Sequence, residues 1–190
     1  MEQNNTRHNL LEAANRVVAR AGAARLTLDA VAQEAGMSKG TVLYHFHSKN
    51  ELIEAMIDLL AANFEQEFQK QTQANREDKT PGHQLRAMLR AQVPPPSENA
   101  DDPSSGLLAA VGNDGSLLDG LRVRYQVWQQ QITGDGLDPA LATVLRLASD
   151  GLWVCELFGF APPTGEFREQ VLRKMLELAA APSETEENKR

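Results

Sequence analysis

Apolar side chains in the first half of the chain recur every three or four residues, which is the spacing of one face of an α-helix. Four stretches show this pattern, at residues 6–21, 28–35, 39–46 and 50–72. Gly22 and Gly36 follow the first two stretches, and glycine commonly ends a helix. A hydroxyl residue that can cap a helix N-terminus precedes each of the last three stretches, namely Thr27, Ser38 and Ser48. Glu51 completes a capping-box pattern with Ser48.

The second half of the chain shows the same helical spacing. Apolar stripes lie at residues 82–93, 116–132, 139–159 and 165–180. The proline-rich stretch 94–106 cannot form a helix or a strand, so we expect an exposed, mobile loop there, followed by a short apolar piece at 107–111. No stretch alternates polar and apolar residues convincingly, and the pattern therefore predicts an all-α fold.

The lengths of these helices suggest two domains. We expect a compact N-terminal head of three helices at residues 1–47, a larger helical body at 48–182 and a disordered tail at 183–190. The helix from Asn50 to about Thr72 would be the only continuous link between the head and the body.

Composition and charge narrow the class of protein. The 190 residues contain no apolar run of the roughly 18 residues that a membrane span needs, no signal-peptide core and a single cysteine, Cys155, so we expect a cytoplasmic protein. The formal net charge is −7, but residues 1–49 hold six basic and four acidic side chains. Only the head is therefore expected to face the phosphates of a nucleic acid.

The two short helices of the head have the spacing of a helix-turn-helix. Ala32 is small enough for a helix crossing, Gly36 tolerates a left-handed turn, and Val42 returns an aliphatic side chain to the crossing. The second helix would lie in a DNA major groove, which is wide enough to admit it. The same spacing also occurs by chance in ordinary α-hairpins.

The start of that second helix is small and polar, as contact with base edges requires. Lys39, Gly40 and Thr41 fit this need, and Gly40 costs a short helix about 1 kcal/mol relative to alanine. Such a cost is more readily tolerated where another molecule must approach the backbone. His45 and His47 point about 200° apart around the helix axis and cannot hold one metal ion together, so we expect no metal site.

Residues 27–56, "TLDAVAQEAGMSKGTVLYHFHSKNELIEAM", closely resemble the DNA-binding domain of the TetR (tetracycline repressor) family of bacterial regulators. The resemblance extends upstream through the first helix. One position departs from the family pattern, because Leu43 stands where tyrosine is common. A contact through Leu43 would be apolar, for instance with a thymine methyl group.

The resemblance implies a homodimeric repressor that binds a palindromic operator in double-stranded DNA and is released by a small-molecule effector, without a cofactor. Carried over by position, contact with base edges falls to Lys39, Gly40, Thr41 and Leu43. Contact with phosphates falls to Thr27, Ser38, Tyr44, His45 and Lys49.

The body resembles no member that we can name, so its candidate residues come from helical patterns. Bulky side chains that could line an effector cavity, although each would also suit an ordinary core, are Met88, Tyr125, Trp128, Trp153 and Phe158. Helix 139–159 is apolar on more than one face and could pair with a second subunit together with helix 165–180. The candidate residues for that dimer interface are Leu141, Leu145, Leu152, Phe167, Val171 and Met175.

Three further points remain open from the residues alone. Arg122 or Arg124 could bind an acidic effector, although surface positions are the simpler interpretation. Cys155 is expected to be a buried, inert thiol. A helical sensor or enzyme that uses the head to bind another protein is the alternative function, but the body has no catalytic pattern, so we do not expect an enzyme.

Overall fold

The structure, a computed structural model, describes residues 2–92 and 114–180. The predicted loop at 94–106, the apolar piece at 107–111 and the tail at 183–190 lie outside the described residues. Within the described ranges the chain forms eight α-helices, two short 3-10 helices and no strand. The prediction of an all-α fold is confirmed.

The helices follow the predicted stripes closely. They are α1 (Glu2–Ala21), α2 (Leu28–Ala35), α3 (Lys39–His45), α4 (Lys49–Ala74), α5 (His83–Ala91), α6 (Asp119–Thr133), α7 (Pro139–Phe158) and α8 (Gly165–Leu178). The 3-10 helices are Ala23–Arg25 and Gly115–Leu118. α1 begins before the predicted start at Thr6, because polar residues without an apolar stripe can still extend a helix.

The chain divides into two compact units. The first contains Met1–Ala62 and, from later in the chain, the described residues 114–123. Its apolar core is built mainly by α1 and by the start of α4. Its largest fully buried side chains are Leu10, Leu26, Val31, Val42, Phe46, Leu52 and Met56. The division differs from the predicted boundary after residue 47, since the first half of α4 completes this core.

The second unit contains the described residues 63–92 and 124–180. Its core comes from α5 and from the inward faces of α6, α7 and α8, with buried side chains that include Leu85, Met88, Leu89, Trp128, Ile132, Leu145, Leu172 and Met175. α4 and α6 each contribute residues to both units. The expectation that the helix from Asn50 to Thr72 is the only continuous link is therefore wrong.

The residues at and just before the start of α6 show why this helix contributes to both units. Leu117 is buried in the core of the first unit, and Leu118 and Leu121 pack against that core. The apolar stripe of 116–132 thus serves two cores along its length, which its periodicity alone does not reveal. Among the described residues, none of the helices combines the length and the apolar character that a membrane crossing requires.

Candidate nucleic-acid interface

The turn between α2 and α3 depends on Gly36. Its backbone is left-handed, with φ 65° and ψ 29°, and its N–H donates to the carbonyl of Gln33 at 3.2 Å. The N–H of Met37 donates to the carbonyl of Ala32 at 2.9 Å. These two bonds satisfy the last carbonyls of α2, and glycine adopts this conformation without steric cost. The prediction that Gly36 ends α2 is confirmed.

The two helices of the motif cross through small and aliphatic side chains. Ala32 and Val42 are both buried, as the spacing predicted. Phe46 is fully buried at the end of α3, and Met37 packs against the same core. This packing fixes which face of α3 points inward and leaves the remaining face exposed.

The first turn of α3 is held by its own N-cap. Ser38 Oγ accepts a hydrogen bond from the Thr41 N–H at 3.1 Å and lies 2.9 Å from Thr41 Oγ1. Ser38, Lys39 and Gly40 are exposed. The predicted base-contacting residues Lys39, Gly40 and Thr41 therefore share one polar, ordered turn.

The second half of α3 exposes larger side chains. Leu43 is 38% exposed and Tyr44 is 66% exposed. His45 packs edge-on against the Tyr44 ring, with ring centroids 5.1 Å apart. The exposed face of α3 thus runs from Ser38 to His45 and carries both polar and apolar groups.

Three of the residues predicted to contact DNA bond to other residues near them in the first unit. Thr27 Oγ1 caps α2 by accepting the Ala30 N–H at 3.1 Å. Lys39 Nζ lies 2.9 Å from Asp29 Oδ1, and both side chains are exposed. Lys49 Nζ donates to the Ala23 carbonyl at 3.1 Å. Lys49 therefore fastens the 3-10 helix after α1 to the start of α4.

Two of the six basic side chains of residues 1–49 form ion pairs away from α3. Arg16 Nε and Arg20 Nη2 both donate to the Glu34 carboxylate, at 3.0 and 2.7 Å. These bonds join α1 to α2 and hold the pKa of Glu34 below its usual range. The positive charge that remains at the exposed face of α3 is therefore smaller than the sequence count suggests.

The start of α4 is capped by two side chains. Ser48 Oγ accepts the Glu51 N–H at 3.1 Å, and Glu51 Oε2 accepts the His47 N–H at 2.7 Å. The return bond of the predicted capping box goes to His47 rather than to Ser48. This hydrogen bond from the His47 N–H is the main reason why the pKa of Glu51 is lowered. Among the described residues no cluster of three or more histidines, cysteines or carboxylates could hold a metal ion.

Arg7 is a candidate that the sequence reasoning missed. Its guanidinium carbon lies 5.2 Å from the centroid of the Phe46 ring, at the end of α3. Arg7 itself is exposed. The signal was present in the sequence, because Arg7 precedes the buried Leu11 by four residues and so occupies the same side of α1.

The predicted effector residues are only partly brought together. In the second unit the ring centroid of Trp128 lies 5.2 Å from that of Tyr125 and 4.9 Å from that of Phe64. Met88 is buried in the same unit. Trp153 is half-buried. Phe158 is exposed and stacks on Phe160, so the structure does not support a place for Phe158 in the predicted effector cavity.

A polar network adjoins the Tyr125 and Trp128 rings. Asp150 Oδ2 lies 2.5 Å from Arg146 Nη1, while the Tyr125 hydroxyl and the Gln92 amide each donate to Asp150 Oδ1 at 3.5 Å. Burial raises the pKa of Asp150 above its usual range and that of Tyr125 to about 12. Trp128 Nε1 and Gln92 Oε1 are buried without a hydrogen-bond partner among the described residues.

The predicted dimer residues fall into two groups. Leu145 and Met175 are buried in the core of the second unit, because they lie on the inward faces of α7 and α8. Leu141, Leu152 and Val171 are half-buried, and Phe167 is exposed. The same two helices and the turn after α7 expose other large apolar side chains, namely Val144, Leu147, Phe158, Phe160 and Leu178.

The structure answers two of the points that the sequence left open. Arg122 pairs with Asp119, and Arg124 Nη1 lies 3.5 Å from Glu65 Oε2, so both arginines already have carboxylate partners. Cys155 is half-buried, which corrects the expectation of a buried thiol.

Comparison with known proteins matches the N-terminal and the C-terminal part of the chain to two family models. Residues 10–56 match the family described as bacterial regulatory proteins, tetR family, and residues 82–180 match the tetracyclin repressor-like C-terminal domain. The HTH-type transcriptional regulator TtgR of Pseudomonas putida is 41% identical over 59 residues, which are 31% of this chain and 28% of TtgR. SrpR of Pseudomonas putida is 36% identical over 56 residues, 30% of this chain and 26% of SrpR. The chain thus covers less than a third of either relative.

Solved structures resemble the chain over nearly its whole length. A TetR transcription regulator from Haloarcula marismortui ATCC 43049 has a TM-score of 0.72 and 20% identity, covering 93% of this chain and 97% of that one. The multidrug binding protein EbrR, complexed with imidazole, has a TM-score of 0.64 and 21% identity, covering 95% and 98%. At these identities the structures support the fold alone. Since one family model spans more than half of the residues and another spans the head, the chain belongs to the TetR family of transcriptional regulators.

Proposed function

We propose that this DNA-binding regulator is a homodimeric repressor that contacts a palindromic operator through α3 and leaves it when a small molecule binds the second unit. The observation that carries the proposal is the exposed face of α3 from Ser38 to His45, which Gly36 and the buried Val42 hold in helix-turn-helix geometry. A helix of this kind fits the major groove of B-DNA.

Base contacts are proposed for the first turn and for Leu43. Lys39 can donate to a purine once it leaves Asp29, and that exchange costs little because the ion pair is exposed. Thr41 supplies a hydroxyl, and Gly40 lets the backbone come close. Leu43 offers an apolar surface that suits a thymine methyl group.

Phosphate contacts are proposed for Thr27, Ser38, Tyr44 and His45, with Arg7 added from the structure. Thr27 and Ser38 stand at helix N-termini, where free backbone N–H groups favour an anion. Lys49 remains a proposed contact, although its bond to the Ala23 carbonyl first gives it the role of fixing the head.

The test is binding of fluorescently labelled duplexes from the region upstream of the protein's own gene, measured by anisotropy over a range of salt concentrations. Specific binding should weaken steeply with salt, because phosphate contacts release counterions. Lys39→Gln should weaken binding about tenfold or more, as expected for loss of a good base contact. Arg76→Gln is the matched control, since it removes one positive charge from an exposed position of the second unit.

Equal affinity of wild type and Lys39→Gln for every duplex would contradict the proposed role of α3. Absence of binding to any duplex would contradict the operator proposal as a whole.

The homodimer is proposed to form through the exposed apolar faces of α7 and α8. Val144, Leu147, Ala148 and Gly151 are exposed at helical spacing on α7 and form one stripe of apolar and small residues. On α8, Phe167 is exposed and Val171 is half-buried. Contiguous exposed apolar surface of this kind indicates an interface. Two such helices from each subunit would form a four-helix contact.

The effector is proposed to bind beside Tyr125 and Trp128. The aromatic rings provide apolar contact, while the buried Trp128 Nε1 and Gln92 Oε1 are a donor and an acceptor that a ligand can satisfy. Since α4 and α6 each belong to both units, a ligand that prefers a different conformation of either helix can change the DNA-binding state.

A screen for small molecules that release the protein from its operator tests this second proposal. The chain has two tryptophans, so Trp153→Phe leaves Trp128 as the sole indole reporter. An effector should change the fluorescence of Trp128 in that variant, and Trp128→Phe should weaken the response of DNA binding to the effector. A compound that releases DNA equally well from wild type and from Trp128→Phe, without altering Trp128 emission, would place the effector elsewhere.

A further inference from the structure

A cleft of about 530 Å³ in the second unit is lined by an excess of positive charge. Three guanidinium groups line it, from Arg86, Arg90 and Arg173, against two carboxylates, Asp78 and Glu177. Among the described residues that line it none is aromatic, so it is distinct from the proposed effector position at Tyr125 and Trp128. The three arginines differ in what they already bind.

Arg86 is a structural group of the cleft wall. It is buried, and its Nη1 donates to the carbonyls of Pro81 at 2.8 Å and Ala179 at 2.7 Å. Its Nη2 lies 2.7 Å from Asp78 Oδ2 and 2.5 Å from the Thr80 hydroxyl oxygen. Arg86 and Asp78 therefore neutralise one another and leave little capacity for a ligand.

Arg90 lies one helical turn after Arg86 on α5, but it is not fully hydrogen-bonded as Arg86 is. Its Nη1 is buried and has no hydrogen-bond partner among the described residues. The Arg90 side chain as a whole is half-buried, and a buried N–H group without an acceptor is destabilising. The second carboxylate of the cleft, that of Glu177, lies with Oε2 3.2 Å from Lys174 Nζ in an exposed ion pair. The Arg90 guanidinium thus keeps donor capacity that the described residues do not use.

Arg173 on α8 lines the same cleft and is exposed. Two guanidinium groups that border one cleft repel each other until an anion is present. Each offers a planar fork of N–H donors, which matches the paired oxygens of a phosphate or a carboxylate.

We propose that this cleft is a binding site for a compact oxyanion, the phosphate or carboxylate group of a small molecule, held by Arg90 and Arg173. The bound anion would pair with both guanidinium groups and link α5 to α8. The site lies outside the α3 face and does not depend on the identity of the effector. Its occupancy would stabilise the second unit in proportion to ligand concentration.

The test is thermal unfolding of the full chain in sodium phosphate and in sodium succinate, each compared with sodium chloride at equal ionic strength. One or both of the first two salts should raise the Tm in a concentration-dependent way, and the larger shift identifies the preferred anion. Because phosphate also stabilises proteins by exclusion from their surface, the variants decide the outcome.

Arg90→Gln and Arg173→Gln should each lose most of the specific shift, with apparent affinity lower by about tenfold or more. Arg76→Gln, an exposed change of the same charge outside the cleft, should respond like wild type. Arg173 is exposed, so its variant should fold even if Arg90→Gln does not. Equal shifts in wild type, Arg173→Gln and Arg76→Gln, or no shift beyond chloride in wild type, would overturn the proposal.

Discussion

Gly36 and Gly40 lie four residues apart, yet the chain needs glycine at each for a different reason. Gly36 has a left-handed backbone, and a Cβ added there would meet no other atom within 4 Å. Gly40 has ordinary helical geometry, and an added Cβ would make only a normal contact with Ser38 Oγ at 3.6 Å. Gly36 therefore serves the fold, whereas the fold does not require glycine at position 40, where we propose that DNA approaches the backbone.

Alanine substitutions should separate these two roles. Gly36→Ala should lower the free energy of unfolding by about 1–2 kcal/mol, the cost of a left-handed alanine. Gly40→Ala should raise it by about 0.5–1 kcal/mol, because alanine favours a helix, and should weaken operator binding. Urea unfolding and anisotropy titration measure the two effects. A Gly40→Ala variant that is more stable and binds DNA as tightly as wild type would show that nothing approaches the backbone at that position.

Asp78 gives a prediction about pH. Hydrogen bonds from Thr80 and from Arg86 hold the pKa of its carboxyl far below the usual range. The folded state therefore binds fewer protons than the unfolded state, so the carboxylate contributes stability at neutral pH that is lost as the pH falls below about 4. Wild type should exceed Asp78→Asn in stability at pH 7, and the difference should shrink on acidification. Urea unfolding at several pH values measures it, and a constant difference would contradict the assignment.

At this scale the sequence predicted the residues that cap α2, α3 and α4. It did not predict the bonding partners of long side chains. The hydroxyls of Thr27, Ser38 and Ser48 cap the helices they precede, because such bonds join residues close in sequence. The partners of Lys39 and Lys49 could not be predicted, since each lysine bonds to a group on another element.

At the scale of elements, α5 shows how a helix can be capped from a distance. Gly82 is its N-cap and offers no side chain. Asp135 follows α6, and its fully buried side chain supplies the missing acceptor. Its Oδ2 accepts the Gln84 N–H at 2.6 Å and the Leu85 N–H at 3.3 Å, and its Oδ1 lies 2.5 Å from His83 Nδ1. The periodicity of 82–93 predicted the helix, but no local signal predicted this cap.

Asp135→Ala should therefore lower the free energy of unfolding by about 1–3 kcal/mol, because two N–H groups at a helix N-terminus lose their acceptor. Asp135→Asn should cost less, since its amide oxygen can accept the same bonds and burial already disfavours the charge, as the raised pKa of Asp135 indicates. Asp138→Ala, which removes the local cap of α7, is the control for a capping loss near the surface. Equal stability of wild type and Asp135→Ala would exclude the distant cap.

At the scale of the whole molecule, the helices could be predicted but their grouping could not. Leu117, Leu118 and Leu121 continue the stripe of α6 without a break, yet they pack on the core of the first unit. Likewise, Leu145 and Leu147 lie two residues apart on one apolar helix, and only the packed structure shows that the first is buried and the second is exposed. Periodicity identifies an apolar face but not the surface that covers it.

The proposed dimer interface uses the apolar side chains of α7 that the core leaves exposed. Leu147 is 54% exposed on α7, so Leu147→Asp should leave the core of the second unit intact and place a charge in the interface. The dimer should weaken more than tenfold, as measured by analytical ultracentrifugation. Val127→Asp, at an exposed apolar position on α6, is the matched control and should remain dimeric. Dimers of equal strength in both variants would place the interface elsewhere.

Two copies of α3 are proposed to contact bases in a two-fold symmetric operator. Selection of duplexes from a random pool by the full chain, repeated with Leu43→Ala, tests it most directly. Wild type should enrich a palindromic sequence, and Leu43→Ala should lose its preference at one equivalent position in each half-site, because a single apolar base contact is removed. Enrichment of the same sequence by both proteins, or of no sequence by wild type, would contradict the account.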